Sequence, residues 1–134
     1  MPVRSFSERI EMDVVTRLEA ARNQTLRCFD LSDEQLDRNY GSGKWSVRFI
    51  LHHLADAETV LFDRICRALS EPRQVLWAFA QDAWATGLDY SRLPLDLSRR
   101  IYEAVRAGII YQARLHYAVE ATAEWKAVSG GLRS

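Results

Sequence analysis

Residues 45–58 read Trp45-Ser46-Val47-Arg48-Phe49-Ile50-Leu51-His52-His53-Leu54-Ala55-Asp56-Ala57-Glu58, and their period decides the fold. Val47, Ile50, Leu54 and Ala57 recur at intervals of three and four, and Leu61, Ile65 and Ala68 continue the series. One apolar stripe therefore runs down a helix. Ser46 is a good N-cap ahead of it, because its hydroxyl can accept from an unpaired first-turn N–H. Glu71-Pro72 stops the helix, which is expected over about residues 46–69.

Upstream, Phe6, Ile10, Val14, Leu18, Ala21 and Thr25 predict a first helix over about 6–29, opened by Ser5 and Glu8 at capping-box spacing. Leu31-Ser32-Asp33-Glu34-Gln35 repeats that signature and predicts a single short turn. Tyr40-Gly41-Ser42-Gly43 then breaks the chain. Downstream, residues 72–95 hold Trp77, Phe79, Trp84 and Tyr90, with Gly87 and Pro94 as interruptions. They predict an ordered aromatic connection with a short helix near Val75 to Ala85. A third long helix is expected over about 96–128, with Leu97, Ile101, Ala104, Val105, Gly108, Tyr111, Leu115 and Val119 on its apolar face. No segment alternates in the manner of a strand. The fold class is all-α, one helical domain over residues 1–134 built as an up-down bundle.

The 134 residues are 48% hydrophobic and 27% charged, a globular composition. Eighteen basic and eighteen acidic residues give a formal net charge of zero. That balance supplies no broad attraction for a polyanion, so neither nucleic acid nor a membrane surface is the expected partner. No apolar run is long enough to span a bilayer. Cys28 and Cys66 make no disulfide framework or Cys-x-x-Cys motif, and a cytoplasmic protein with reduced thiols is expected.

Chemistry-bearing residues are few. At about 100° per residue, His53 falls on the flank of the second helix's stripe, between Phe49 and Val60, while His52 falls nearly opposite and is expected in solvent. His116 lies at the edge of the third helix's stripe. His53 and His116, on different helices, are either two ligands of one metal or two hydrogen-bonded boundary histidines. Glu58 sits inside the apolar arc, where a carboxylate needs a partner such as Arg106 or a Trp N–H, or else acts as a ligand or general base. Asp56, three residues after His53 and four after His52, is placed to accept from an imidazole N–H. Trp45, Trp77, Trp84 and Tyr90 either line a ligand pocket or fill core under a loop. Nucleophile elbows, phosphate-binding glycine loops and His-Glu-x-x-His are absent from the sequence.

Leu31 to Leu36, Gly43-Lys44-Trp45-Ser46-Val47-Arg48 and His52-His53-Leu54-Ala55-Asp56-Ala57-Glu58 together resemble the DinB/YfiT-like superfamily. Gln81-Asp82-Ala83-Trp84-Ala85 and Asp89-Tyr90 are similar to its aromatic connection, and Arg106 and Trp125 match the register of its third helix. The resemblance implies a four-helix bundle, often dimeric, with a divalent metal (zinc or nickel) held by three histidines. His53 matches the one from the second helix. The other two belong to a His-x-x-x-His pair on the family's last helix. Here Ser129-Gly130-Gly131-Leu132-Arg133-Ser134 resembles the segment before that helix, and the sequence contains no such pair. A homodimer is therefore expected, with the fourth helix missing or supplied by a partner chain.

Two functional expectations follow. The resemblance implies a metal-dependent enzyme, with relatives that are transferases acting with a low-molecular-weight thiol. In that reading His53 and His116 are candidate ligands, and Asp56, Glu58, Trp45 and Trp84 line or support the site. The alternative is a non-catalytic bundle that dimerises or binds a small ligand, having lost the metal triad.

Overall fold

A computed structural model gives the structure of the protein and describes residues 6–72 and 78–116, with side chains from residue 14 onward. It contains α1 (Phe6–Cys28), α2 (Asp33–Leu36), α3 (Val47–Ser70), α4 (Gln81–Gly87) and α5 (Leu95–His116), and the described residues include no strand. The start of α1 at Ser5, the connection over 73–77 and everything expected beyond His116 lie outside the described residues.

Both central caps form as the sequence predicts. Ser32 Oγ accepts from the Gln35 N–H while the Gln35 side chain accepts from the Ser32 N–H, a complete capping box for α2. Ser46 Oγ accepts from the Phe49 N–H at 3.2 Å and starts α3. Between them the chain turns through Gly43, whose φ of +74° is open to glycine at little cost.

The helix directions follow from who meets whom. His52 meets Ser98, Glu58 meets Arg106, and Phe62 meets Gly108, so α3 and α5 run parallel. α4 lies in the connection between them, of which residues 71–72 and 78–94 are described. α1 runs antiparallel to α5: Phe29 packs on Tyr102, Asp30 on Arg99, and Val15 on Ile110 and Ala113. A Cβ at Gly108 would lie 3.1 Å from the Phe62 ring, so the missing side chain lets α3 and α5 approach closely.

The core has two parts. Phe29, Leu36, Leu51, Ala55 and Tyr102 join α1, α2, α3 and α5 at one end, and Val15, Ile110 and Ala113 join α1 to α5 further along. The stripe expected to bury α5 is buried only in part: Gly108 packs on Phe62 and Val105 is half-buried, but the inward face is displaced from it. Ser98, Tyr102, Ile109, Ile110 and Ala113 face inward, whereas Leu97, Ile101, Tyr111 and Leu115 are exposed. The physical reason is that α5 carries two apolar faces. Periodicity finds the longer one, but α1 and α3 occupy the other.

Candidate functional site

Chemistry-bearing side chains gather where the first turns of α3 meet the connection 78–93. Tyr90 is the keystone. It is 1% exposed, and its ring lies 5.6 Å from Phe49 and 6.2 Å from Trp45, both near edge-on, and 5.2 Å from His52. Asp89 before it takes φ of +50°, a left-handed conformation that Asp tolerates. The Tyr90 N–H donates to the Ala85 carbonyl at 3.1 Å, closing the end of α4.

The Tyr90 hydroxyl donates to Asp56 Oδ2 at 2.5 Å. Burial pushes the Asp56 carboxyl above the usual carboxylate range, and the Tyr90 bond and the nearby His53 pull it partly back. Burial first, and then the Asp56 carboxylate, push the phenol far above its ordinary value. Asp56 was the residue expected to serve an imidazole; its hydrogen bond goes to a side chain 34 positions further on, which no helical spacing announces.

His53 is partly exposed and sits between aromatic rings, stacked on Phe79 at 5.6 Å with an interplanar angle of 6° and tilted against Trp45 at 5.4 Å. Trp84 meets Phe79 edge-on at 4.8 Å, so it braces that stack from outside. His53 Nδ1 is buried without a hydrogen-bond partner.

His52 overturns the expectation of a solvated side chain: it is 0% exposed. The flank of α3 that carries His52 is closed by Ser98 of α5 and by the Tyr90 ring. His52 Nδ1 and Ser98 Oγ are 2.6 Å apart, a hydrogen bond whichever atom donates, and Nε2 has no partner. Burial, and then the Arg48 charge, lower the His52 pKa below 6.5. Between the lowered folded value and the ordinary unfolded one, the unfolded chain binds more protons. The contribution of His52 is therefore intact above about pH 6.5 and lost as pH falls below it. The urea midpoint of the wild type is expected to drop from pH 7.5 to 5.5 more steeply than that of His52→Gln. Parallel curves would contradict this reading.

Glu58 does find the partner expected of it. Arg106 donates to both carboxylate oxygens, with Nη2 to Oε2 at 3.0 Å, and its Nη1 reaches the Leu18 carbonyl at 3.1 Å. With side chains 7% and 13% exposed, the pair is buried. Both acceptor oxygens are engaged, so its role here is to tie α1, α3 and α5 together.

The structure does not bring His53 and His116 together. His52 pairs with Ser98 near the start of α5, and His116 ends that helix 18 residues later. At about 1.5 Å per residue the two sites are roughly 27 Å apart along the bundle. Among the described residues no three His, Cys, Asp or Glu side chains converge. A catalytic zinc takes three protein donors, so the described residues fit one corner of such a site, at His53, and not a whole one.

This fold and this cluster define a helical bundle of one recognisable type. A sequence profile of the DinB superfamily matches residues 17–127, and the chain belongs to that superfamily. A "Putative metal-dependent hydrolase" of Oceanobacillus iheyensis is 40% identical over 76 residues, covering 57% of this chain and 44% of that protein. A protein of the same name from Geobacillus thermodenitrificans is 36% identical over 75 residues, covering 56% and 42%. The chain thus spans less than half the length of these relatives. YfiT from Bacillus subtilis, "a probable metal-dependent hydrolase with an unusual four-helix bundle topology", superposes with a TM-score of 0.72 at 23% identity, over 86% of this chain and 66% of that one. The likeness to YfiT shows the fold. No helix among the described residues is long and apolar enough to cross a membrane.

Proposed function

We propose that this chain supplies the α3 ligand, His53, of a metal-dependent hydrolase of the DinB type, with the remaining donors lying outside the described residues. The observation that carries the reading is the contrast between neighbours. Each has one buried nitrogen without a partner, but His52 is sealed under Tyr90 with its Nδ1 spent on Ser98, whereas His53 is partly exposed and ring-stacked in one orientation. A ligand needs a fixed ring and an uncommitted nitrogen. The support beyond geometry is the name borne by the similar proteins.

In this reading Phe79 and Trp45 hold the His53 ring, and Tyr90 holds the Asp56 carboxylate in place beside it. The finer assignment, transfer to a low-molecular-weight thiol rather than to water, rests on the family resemblance. A cytoplasmic location, to which the free Cys28 and Cys66 are suited, belongs to the same proposal. Zinc or nickel added to chelator-stripped protein is expected to shift the ring nitrogen resonances of His53 and to leave those of His52 in place. A titration that leaves His53 unchanged contradicts the reading.

A second reading, a bundle without catalysis, is favoured by one observation: the described residues bring no three donors together. It shares with the first a proposed homodimer. Leu97, Ile101, Tyr111 and Leu115 recur along one side of α5, and Leu61 of α3 is exposed as well. An apolar strip of that length exceeds ordinary scattered surface residues. We assign it to a second copy of the chain. Light scattering at micromolar concentration is expected to give a dimer, with Tyr111→Glu weakening it at least about tenfold. A monodisperse monomer would contradict the assignment.

A further inference from the structure

An open cleft of about 350 Å³ is lined by Trp45 and Phe49 from the start of α3 and by residues of α4 and the turn after it, with neither His52 nor His53 in its lining. The half-buried Trp45 and Phe49 supply its aromatic wall, with the buried Tyr90 behind them, and Asp82, Asp89 and Ser91 bring polar groups to it. The same rings that brace His53 and Asp56 thus present a second, separate surface.

Its lining is one-sided in charge. Two lining residues are acidic and none is basic. Asp89 accepts from Ser91 Oγ at 2.6 Å and has an exposed Arg92 at 3.6 Å. Asp82 carries no ion pair among the described residues. Arg48, next to Phe49 in sequence, is committed to Asp33 and Asp37. Aromatic rings attract cations through their negative faces, with Trp the strongest, and carboxylates at the edge add attraction for the same sign of charge. A neutral apolar ligand would gain nothing from the two carboxylates, and an anion would be repelled by them.

We propose that this cleft binds a small organic cation, an alkylammonium or quaternary ammonium group set against Trp45 and Phe49 and balanced by Asp82 and Asp89. The volume lies at the small end for ligand sites, which suits a head group of that size. The proposal goes beyond the metal reading and uses neither His53 nor any metal, so either can fail alone.

The test is an amide-resonance titration of the intact chain, stripped of metal, with choline. Its neutral isostere 3,3-dimethylbutan-1-ol is run in parallel at matched ionic strength. Choline is expected to saturate in the millimolar range with shifts centred on the Trp45 indole N–H and residues 89–91, and the isostere to bind about tenfold more weakly. Asp82→Asn and Asp89→Asn together are expected to weaken choline at least about fivefold without moving the urea midpoint. Asn keeps the left-handed conformation at position 89. Equal binding of the isostere, an affinity unchanged in the double variant, or the absence of saturable shifts at these residues would each overturn the proposal.

Discussion

Arg106→Ala is expected to cost about 3–5 kcal/mol of folding free energy, the typical penalty for stranding one member of a buried ion pair. Both Glu58 oxygens are paired to Arg106 inside the protein, and the same guanidinium holds the Leu18 carbonyl of α1. Alanine removes three contacts at once and leaves a carboxylate away from water. Such a loss is a large part of the stability of an ordinary domain, so a milder variant is also needed. Arg106→Lys keeps the charge and loses the two-pronged geometry, and is expected to fall between alanine and wild type. Replacing both partners, Glu58→Leu with Arg106→Met, is expected to recover most of the loss, because no charge is then stranded. Urea unfolding of the four proteins checks the series. A cost below about 1 kcal/mol for Arg106→Ala would mean that the pair is open to solvent.

Tyr90 is the second position where a single change has a large effect. Tyr90→Ala is expected to cost about 3–5 kcal/mol, the range for deleting a large buried aromatic, or roughly 10–20 °C in Tm. The ring touches Phe49, Trp45 and His52, so its loss opens the connection 78–93 away from α3. Tyr90→Phe isolates the hydroxyl. It keeps the packing and removes the bond to the half-buried Asp56, at about 1 kcal/mol. That bond lowers the Asp56 pKa, so in Tyr90→Phe the carboxyl is expected to titrate still higher, which carboxyl-carbon resonances would register. A Tyr90→Ala protein as stable as Tyr90→Phe would show that the ring is not the keystone described above.

The parts of this molecule legible in the sequence are those fixed by local spacing. Ser32 with Gln35 and Ser46 with Phe49 form caps because the donor and acceptor lie three residues apart whatever the rest of the chain does. Glu58 was traceable for a different reason: a carboxylate inside an apolar arc is too costly to leave alone, and Arg106 is a fitting cation on a neighbouring helix. What the sequence hides is set by tertiary neighbours. His52 lies opposite the α3 stripe and is buried because a chain segment from the crossover covers that side. Asp56 finds Tyr90 rather than a histidine for the same reason. The α5 stripe shows that amphipathic pattern identifies an apolar face without saying which helix will take it. The candidate site divides along the same line: His53 is marked by its motif and Trp84 and Tyr90 by their aromatic character, while the stacking of Phe79 on His53 and the Tyr90 bond to Asp56 come from a segment with no period to read.

The reading of His53 as a metal ligand meets its most direct test in elemental analysis of the untagged protein and of His53→Ala, prepared side by side. About one zinc or nickel per chain or per dimer is expected in the wild type and none in the variant, with the two proteins equally folded. Metal-free wild type, or metal retained undiminished in His53→Ala, would contradict it.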